Sequence, residues 1–275
     1  MKPIIFSGLE YCLNDKRASC ELAHDALYEI GARSIPLVIS SSKSLKELID
    51  LVQEFPVTPY LIGENGASFA VPMDSKLNKH FSWNQTKGAY NVSFNPDSRS
   101  LIVNVLEEAR TRIGDCFIEF SKVNSNHSSR LADLNYIDLK RALNRDANEV
   151  LIWQGNDYQW WQFVNFIEEK SLRVQSSEFF IHVMDTKLTK KTAMFDLLTL
   201  FQKTFPEIPW YSVGFGSLEE DILMLEHFDY PVVVRRPKLK ELRLEREDYQ
   251  LTHSFTSERW NESLFQFLNL NLQKL

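Results

Sequence analysis

The chain has 275 residues, 44% of them hydrophobic and 25% charged, with only 9 Gly and 10 Pro, which excludes disordered, collagen-like and low-complexity chains. Its length allows two domains, or one domain with a large insertion. The 31 basic and 37 acidic residues leave a net charge of −6, which argues against nucleic acid as a partner, because phosphate-backbone binding relies on positive surface.

The N-terminal run MKPIIFSGLEYCLNDK carries one Lys and a short apolar stretch broken by Gly8 and Glu10. It is too short and too polar for a signal peptide or a membrane span, so a cytoplasmic protein with no membrane partner is expected. Cys12, Cys20 and Cys116 form no CxxC pair; buried free thiols are expected, with a Cys12 to Cys20 pairing left open.

Residues 3–7 read as a short buried strand, followed by a polar turn and a helix over 18–30. The apolar segment 35–40 is a second strand, and SSKSLKELIDLVQEF after it is an amphipathic helix with Leu45, Leu48, Ile49 and Val52 on one side. A third strand is expected at 60–62, before ENGASFAVP. This alternation predicts a mainly parallel sheet with helices on both faces, and functional residues just after the carboxyl ends of its strands.

The pattern changes after about residue 83. A polar connection, a helix around 100–112, the strand CFIEF, helical spacing over 131–144 and 160–169, and strands in VLIW and EFFIHVM together read as α+β. From Lys190 the alternating style returns with TAMFDLLTLFQKTF as helix, YSVGFG as strand, LEEDILMLEHF as helix and PVVV as a buried strand. The expected organisation is therefore a discontinuous α/β core of 1–83 and 187–275 around an α+β insertion at 84–186. A terminal helix from Glu262 is expected on the outside of the fold.

Several segments carry more specific information. IIFSGLEYCL at 4–13, ISSSKS at 39–44, GENGASF at 63–69, ALNRDANEVLIW at 142–153, LTKKTA at 188–193 and VGFGSLEEDILMLEHFDYPVVV at 213–234 follow one another in a recognisable order. Over about 1–237 this series resembles the haloacid dehalogenase superfamily of phosphohydrolases, its Cof-type branch, and within it the mannosyl-3-phosphoglycerate phosphatase group. The resemblance implies a Rossmann-like core with a cap of the C2B type. It also implies a carboxylate nucleophile, a second acid two residues later that acts as acid and base, and Mg²⁺ on the phosphate oxygens.

This chain departs from that pattern where the chemistry is made. The nucleophile position is Gly8, which has no side chain. The acid/base position is Glu10, one methylene longer than Asp. Tyr11 and Cys12 stand where the family has Gly and Thr. At the fourth motif Ser217 and Glu220 replace the metal-binding Asp and its neighbouring Asn, while Asp221 persists, so a cation would have only Asp221 with Glu220 or Glu10.

Binding positions are better kept. Ser41 with the amides of 42–44 is a candidate anion contact, Lys190 matches the family's phosphate-balancing lysine, and Arg145 and Glu149 match its substrate-contacting pair. Glu178 stands where the family has an arginine. His182 reads as a packing residue, and Trp160 with Trp161 reads as core or domain contact ahead of a sugar platform.

The resulting expectation is a catalytically inactive or severely impaired phosphatase homologue, with no cofactor, that retains phosphosugar or anion binding in a regulatory role. Two alternatives stay open. One is a Mg²⁺-dependent phosphomonoesterase in which Glu10, Glu220 and Asp221 hold a metal-bound hydroxide that attacks a phosphorylated sugar or glycosyl-phosphoglycerate directly. The other is a structural subunit that stabilises an unidentified protein partner.

Overall fold

The computed structural model describes residues 1–13, 23–123, 140–176, 180–236, 242–252 and 259–271. Cys20, Glu178 and the segments 18–22 and 131–139 of two expected helices lie outside the described residues. Cys12 and Cys116 are free and buried.

Thirteen described strands form two sheets. In chain order they are β1 (Lys2–Gly8), β2 (Leu37–Ser40), β3 (Tyr60–Gly63), β4 (Ser68–Pro72), β5 (Gln85–Lys87), β6 (Tyr90–Phe94), β7 (Phe117–Glu119), β8 (Glu149–Trp153), β9 (Leu172–Ser176), β10 (Ile181–Asp185), β11 (Trp210–Gly216), β12 (Tyr230–Val233) and β13 (Gln250–Leu251). The larger sheet runs β13-β12-β11-β1-β2-β3-β4-β6-β5. Its strands are parallel from β13 to β3, and β4, β6 and β5 are added antiparallel. The segment after 210 lies directly beside β1, with Lys2 opposite Trp210 and Ser7 opposite Phe215.

Strand parity explains the two layers of this core. Ile4 and Phe6 face one side, where the helix Lys190–Thr204 delivers Met194, Leu197 and Phe201. Ile5 faces the other side, with the helices His24–Ala32, Leu45–Leu51 and Arg259–Asn271 and their Leu27, Leu48, Trp260 and Phe267. The terminal helix, expected on the outside of the fold, instead buries Trp260, Leu264 and Phe267 in this core, because its apolar side chains fall on one face. Phe6 is fully buried, a contribution of about 2–3 kcal/mol from its apolar surface.

The smaller sheet, β7-β8-β10-β9, is antiparallel. One face carries Phe117, Leu151, Leu172, Ile181 and Val183 against the helices Pro96–Ile113 and Asp157–Glu169. On the latter helix, Trp160 packs edge-on against Trp153, while Trp161 is exposed.

The region read as a polar connection after residue 83 contains β5 and β6, which extend the larger sheet, whereas β7 to β10 make the smaller one. The sequence QTK of β5 is polar and its first two residues are exposed, as an edge strand permits, so it shows no apolar alternation. Lys87 of β5 places its Nζ 2.8 Å from both carboxylate oxygens of Asp146 and 2.9 Å from Asn144 Oδ1, tying this edge to the segment before β8. Among the described residues no helix is long and apolar enough to cross a membrane.

Candidate functional site

The carboxyl ends of β1, β2, β3 and β11 bring the motif residues together. Gly8 ends β1, and a Cβ built on it would stand 3.3 Å from Asp221 Oδ2 and 3.6 Å from Cys12 Sγ. The position is thus filled from its surroundings. Tyr11, on the next turn, has φ 59°, a conformation natural to the glycine that the family pattern has there. Its ring lies 5.9 Å from the Arg236 guanidinium.

Glu10 and Ser41 meet: Ser41 Oγ donates to Glu10 Oε1 at 2.5 Å and accepts from Lys43 N at 3.1 Å. Burial raises the Glu10 carboxyl above the usual carboxylate range, with Lys43, Lys190 and Ser41 opposing. The start of the helix Leu45–Leu51 is capped from within, because Ser44 Oγ accepts from Glu47 N while Glu47 accepts from Ser44 N. These groups already hold one another, so neither the Ser41 hydroxyl nor the Ser44 amide is left open to an anion.

Asp221 follows β11 and is 1% exposed. Its Oδ2 accepts from Ser217 N at 2.9 Å and Leu218 N at 3.0 Å, and its Oδ1 accepts from Lys190 Nζ at 2.8 Å. Ser217 Oγ donates to Glu10 O at 2.9 Å. Glu220 Oε1 accepts from Lys190 Nζ at 2.8 Å and its Oε2 from Gln175 Nε2. Asp221, Glu220 and Glu10 raise the affinity of Lys190 for its proton against a desolvation penalty, which is the largest single effect and acts the other way.

A Mg²⁺ ion needs near-octahedral oxygens at about 2.0–2.1 Å. Here every oxygen of Asp221 and Glu220 already accepts a hydrogen bond from a nitrogen, and Gly8 and Ser217 supply no carboxylate. Among the described residues no group of three His, Cys, Asp or Glu side chains is arranged to hold a metal. The residues present do not fit the ion that the resemblance implies.

The smaller sheet presents its polar face to this end of the larger one. Parity puts Arg173, Gln175 and His182 opposite the apolar Leu172, Val174, Ile181 and Val183, and the Gln175 to Glu220 bond crosses the seam between the sheets. Glu64, fully buried with φ 53°, accepts from the amides of Asp146, Ala147 and Asn148 at 2.7, 3.1 and 3.0 Å. Burial raises its carboxyl, and Arg145 and the amides oppose the shift. Arg145 Nη1 donates to Ser42 O and to Asn148 Oδ1, both at 3.1 Å, and Ser44 Oγ donates to Arg141 O at 2.9 Å.

Buried polar atoms without partners gather at this seam: both amide atoms of Asn65, Asn148 Nδ2, Arg145 Nε, Arg173 Nε and His182 Nδ1. Burial, with Arg145, Arg173 and Lys190 nearby, pushes His182 down to about 3, so the ring is neutral at pH 7. A cavity of about 50 Å³ lies here, lined by Asn65, Arg173, Gln175, Lys190 and Glu220 among others. Gly66 is obligatory beside it: its φ is 95°, and a Cβ would lie 2.1 Å from the Thr189 backbone.

Glu149 goes elsewhere. Its register opposite Val183 turns it to the helix-covered face, where it pairs with Arg99 at 3.2 Å beside a cleft of about 580 Å³ that Arg145 and Asp146 also line. Sequence reasoning missed Glu64, Asn65 and Arg173. The GENG run held a signal for the first two, because a strand end followed by Asn-Gly marks a turn with left-handed residues; Arg173 carried none.

Comparison with known proteins adds to this geometry. The haloacid dehalogenase-like hydrolase family matches residues 12–240, a span that begins beyond Gly8 and Glu10. A glucosyl-3-phosphoglycerate/mannosyl-3-phosphoglycerate phosphatase of Persephonella marina is 26% identical, with 97% of each chain covered. One of the same name from Methanococcoides burtonii is 26% identical over 86% of each chain. Among solved structures, a Thermotoga maritima protein superposes with TM-score 0.66 at 16% identity, covering 97% of both chains. A phosphatase of the haloalkanoate superfamily from Bacteroides thetaiotaomicron gives TM-score 0.66 at 15% identity, covering 97% of this chain and 95% of that one.

Proposed function

Because the chain belongs to the haloacid dehalogenase-like hydrolases, and because Gly8 stands where their carboxylate nucleophile is expected, we propose that it is a non-catalytic phosphatase homologue that binds a small phosphorylated sugar acid or related anion at the seam between its two sheets. The observation that carries this reading is the end of β1. No side chain is present there to attack phosphorus, and the surrounding acids are bound to Lys190, Gln175, Ser41 and backbone amides. Without a nucleophile no covalent phosphoryl intermediate forms. Direct attack by a metal-bound hydroxide lacks the free oxygens that would hold the metal.

Anion binding is supported by the unpartnered donors of Arg145, Arg173, Asn65 and Asn148, since guanidinium and amide N–H groups match phosphate and carboxylate oxygens. The relatives named for glycosyl-phosphoglycerates act on molecules that carry both groups. A ligand of that size needs far more than the cavity of about 50 Å³, so binding requires the seam to open. In this reading the insertion beyond β6 moves as a cap, β5 and β6 stay with the larger sheet, and the opening couples ligand to a regulatory state.

The test is a phosphate-release assay with Mg²⁺ over sugar phosphates and glycosyl-phosphoglycerates, paired with thermal unfolding in the same ligands. The expected result is no release above protein-free controls, together with a rise in unfolding temperature for at least one ligand that Arg173→Ala removes. Phosphate release that Glu10→Gln or Asp221→Asn abolishes would overturn the non-catalytic reading, and the absence of any ligand-induced shift would overturn the binding one.

A further inference from the structure

Adjacent on one helix, Trp160 and Trp161 have opposite surroundings. Trp160 packs on Trp153 and Phe163 beneath the helices of the smaller sheet, whereas Trp161 is 64% exposed. Tyr158, one helical turn earlier, is exposed as well. Trp161 and the buried Phe166 line a groove of about 570 Å³ between the helix Asp157–Glu169 and the end of the helix Pro96–Ile113. That volume is in the range of small-ligand sites. Both helices cover the face of the smaller sheet turned away from the seam, so the groove is remote from the acids of the core.

We infer that this groove is a binding site for a neutral saccharide, separate from the seam. A sugar ring offers a C–H face that stacks on an exposed indole, and hydroxyls at its edge that both donate and accept. The polar lining matches those hydroxyls: Gln162 and Asn165 carry amides that donate and accept, Glu168 and Glu169 accept, and Arg112 donates. Among the described residues none of these five side chains has a hydrogen bond or ion pair within the protein, and Arg112 lies over Phe166, 5.3 Å from the ring centre. Charge selects the class of ligand. Two carboxylates against one guanidinium leave the lining acidic, and the nearby Lys170 is held by Glu108 at 2.8 Å, so a phosphorylated sugar is disfavoured. A protein interface depletes its centre of charge, whereas this lining sets three charges and two amides around one exposed ring.

The test follows the indole N–H resonances of the full chain by nuclear magnetic resonance, with Trp161→Phe identifying the Trp161 signal. Glucose, mannose and maltotriose are the probes, inorganic phosphate is the charged control, and saturation-transfer signals on the saccharide measure affinity. At least one saccharide is expected to shift the Trp161 signal saturably, and phosphate to leave it in place. Trp161→Ala is expected to weaken that binding about tenfold, and Trp161→Tyr, which keeps a ring, by less than about threefold. Asn165→Ala is expected to weaken it about fivefold. No saturable shift by any of the three saccharides overturns the inference, as does a saturable shift by phosphate or saccharide binding that Trp161→Ala leaves unchanged. Self-association of the wild type that Trp161→Ala abolishes would assign this face to a second copy of the chain and overturn it equally. Because groove and seam lie on opposite faces of the smaller sheet, each of these failures leaves the non-catalytic reading standing.

Discussion

At the end of the larger sheet, each oxygen of Asp221 and Glu220 is engaged by Lys190, Gln175 or a backbone amide, whereas across the seam Asn65, Asn148, Arg145, Arg173 and His182 each keep a buried atom without a partner. The first region has become structural: its charges cancel locally and its hydrogen bonds close on themselves. The second bears the cost of unsatisfied groups, about 1–3 kcal/mol each, a cost that a ligand with oxygen acceptors would relieve at the donors among them. In the proposed reading it is this unused capacity, and not polar side chains as such, that marks the binding region.

The largest test of this contrast removes the charge that closes the first region. Lys190→Met leaves Asp221 buried without its counter-ion and is expected to cost about 3–5 kcal/mol in denaturant unfolding. A cost below about 1 kcal/mol would mean that the acids are not closed on the lysine.

Glu64→Gln attacks the seam and leaves that network untouched. An amide group cannot accept from all three of Asp146 N, Ala147 N and Asn148 N, so a loss of about 2–3 kcal/mol is expected, with faster amide exchange at 146–148. Unchanged exchange at these amides would show that Glu64 does not hold the seam.

His182 supplies the pH signature. Its folded-state value is about 3, beside Arg145, Arg173 and Lys190, whereas the unfolded ring titrates near 6.5. The unfolded state binds the extra proton as pH falls through that window, so the stability contribution is present above about 6.5 and is lost on acidification. His182→Gln is expected to lose about 2 kcal/mol less than wild type between pH 7 and pH 5. Parallel stability profiles would place the ring in a solvated setting instead.

The smallest expected effect is that of Ser41→Ala, about 1 kcal/mol from the lost bond to Glu10, with the ligand-induced shift of unfolding temperature unchanged. If the shift disappeared, the anion would belong at Ser41 and the contrast between the two regions would be wrong.

The order of core elements up to β12 was legible because the buried strands are apolar runs and the helices between them have one-sided stripes, whereas the terminal helix, expected outside, covers the sheet with Trp260 and Phe267. The strand beginning at Trp210 could be placed beside β1 from the motif series alone. The hairpin of β5 and β6 was not, since QTK has no apolar face. At the site, Gly8, Glu10, Ser41, Lys190, Glu220 and Asp221 were foreseen as neighbours, but which of them would consume the others depends on distances that no linear pattern holds. Arg173 was invisible because its role comes from strand parity and from the approach of a second sheet. The same parity turns Glu149 to the other face, where it lines a cleft with Arg145.

The link from Lys87 to Asp146 has a mechanical meaning. Lys87 pairs with Tyr90 within the hairpin, so its reach toward Asp146 is set by how β5 aligns on β6. A slip of two residues would carry its ammonium about 7 Å along the strand, beyond contact. β5, the outermost strand on this side of the larger sheet, thereby works as a gauge block for the seam, and in the proposed reading an insertion at 88–89 is expected to change how readily a ligand enters.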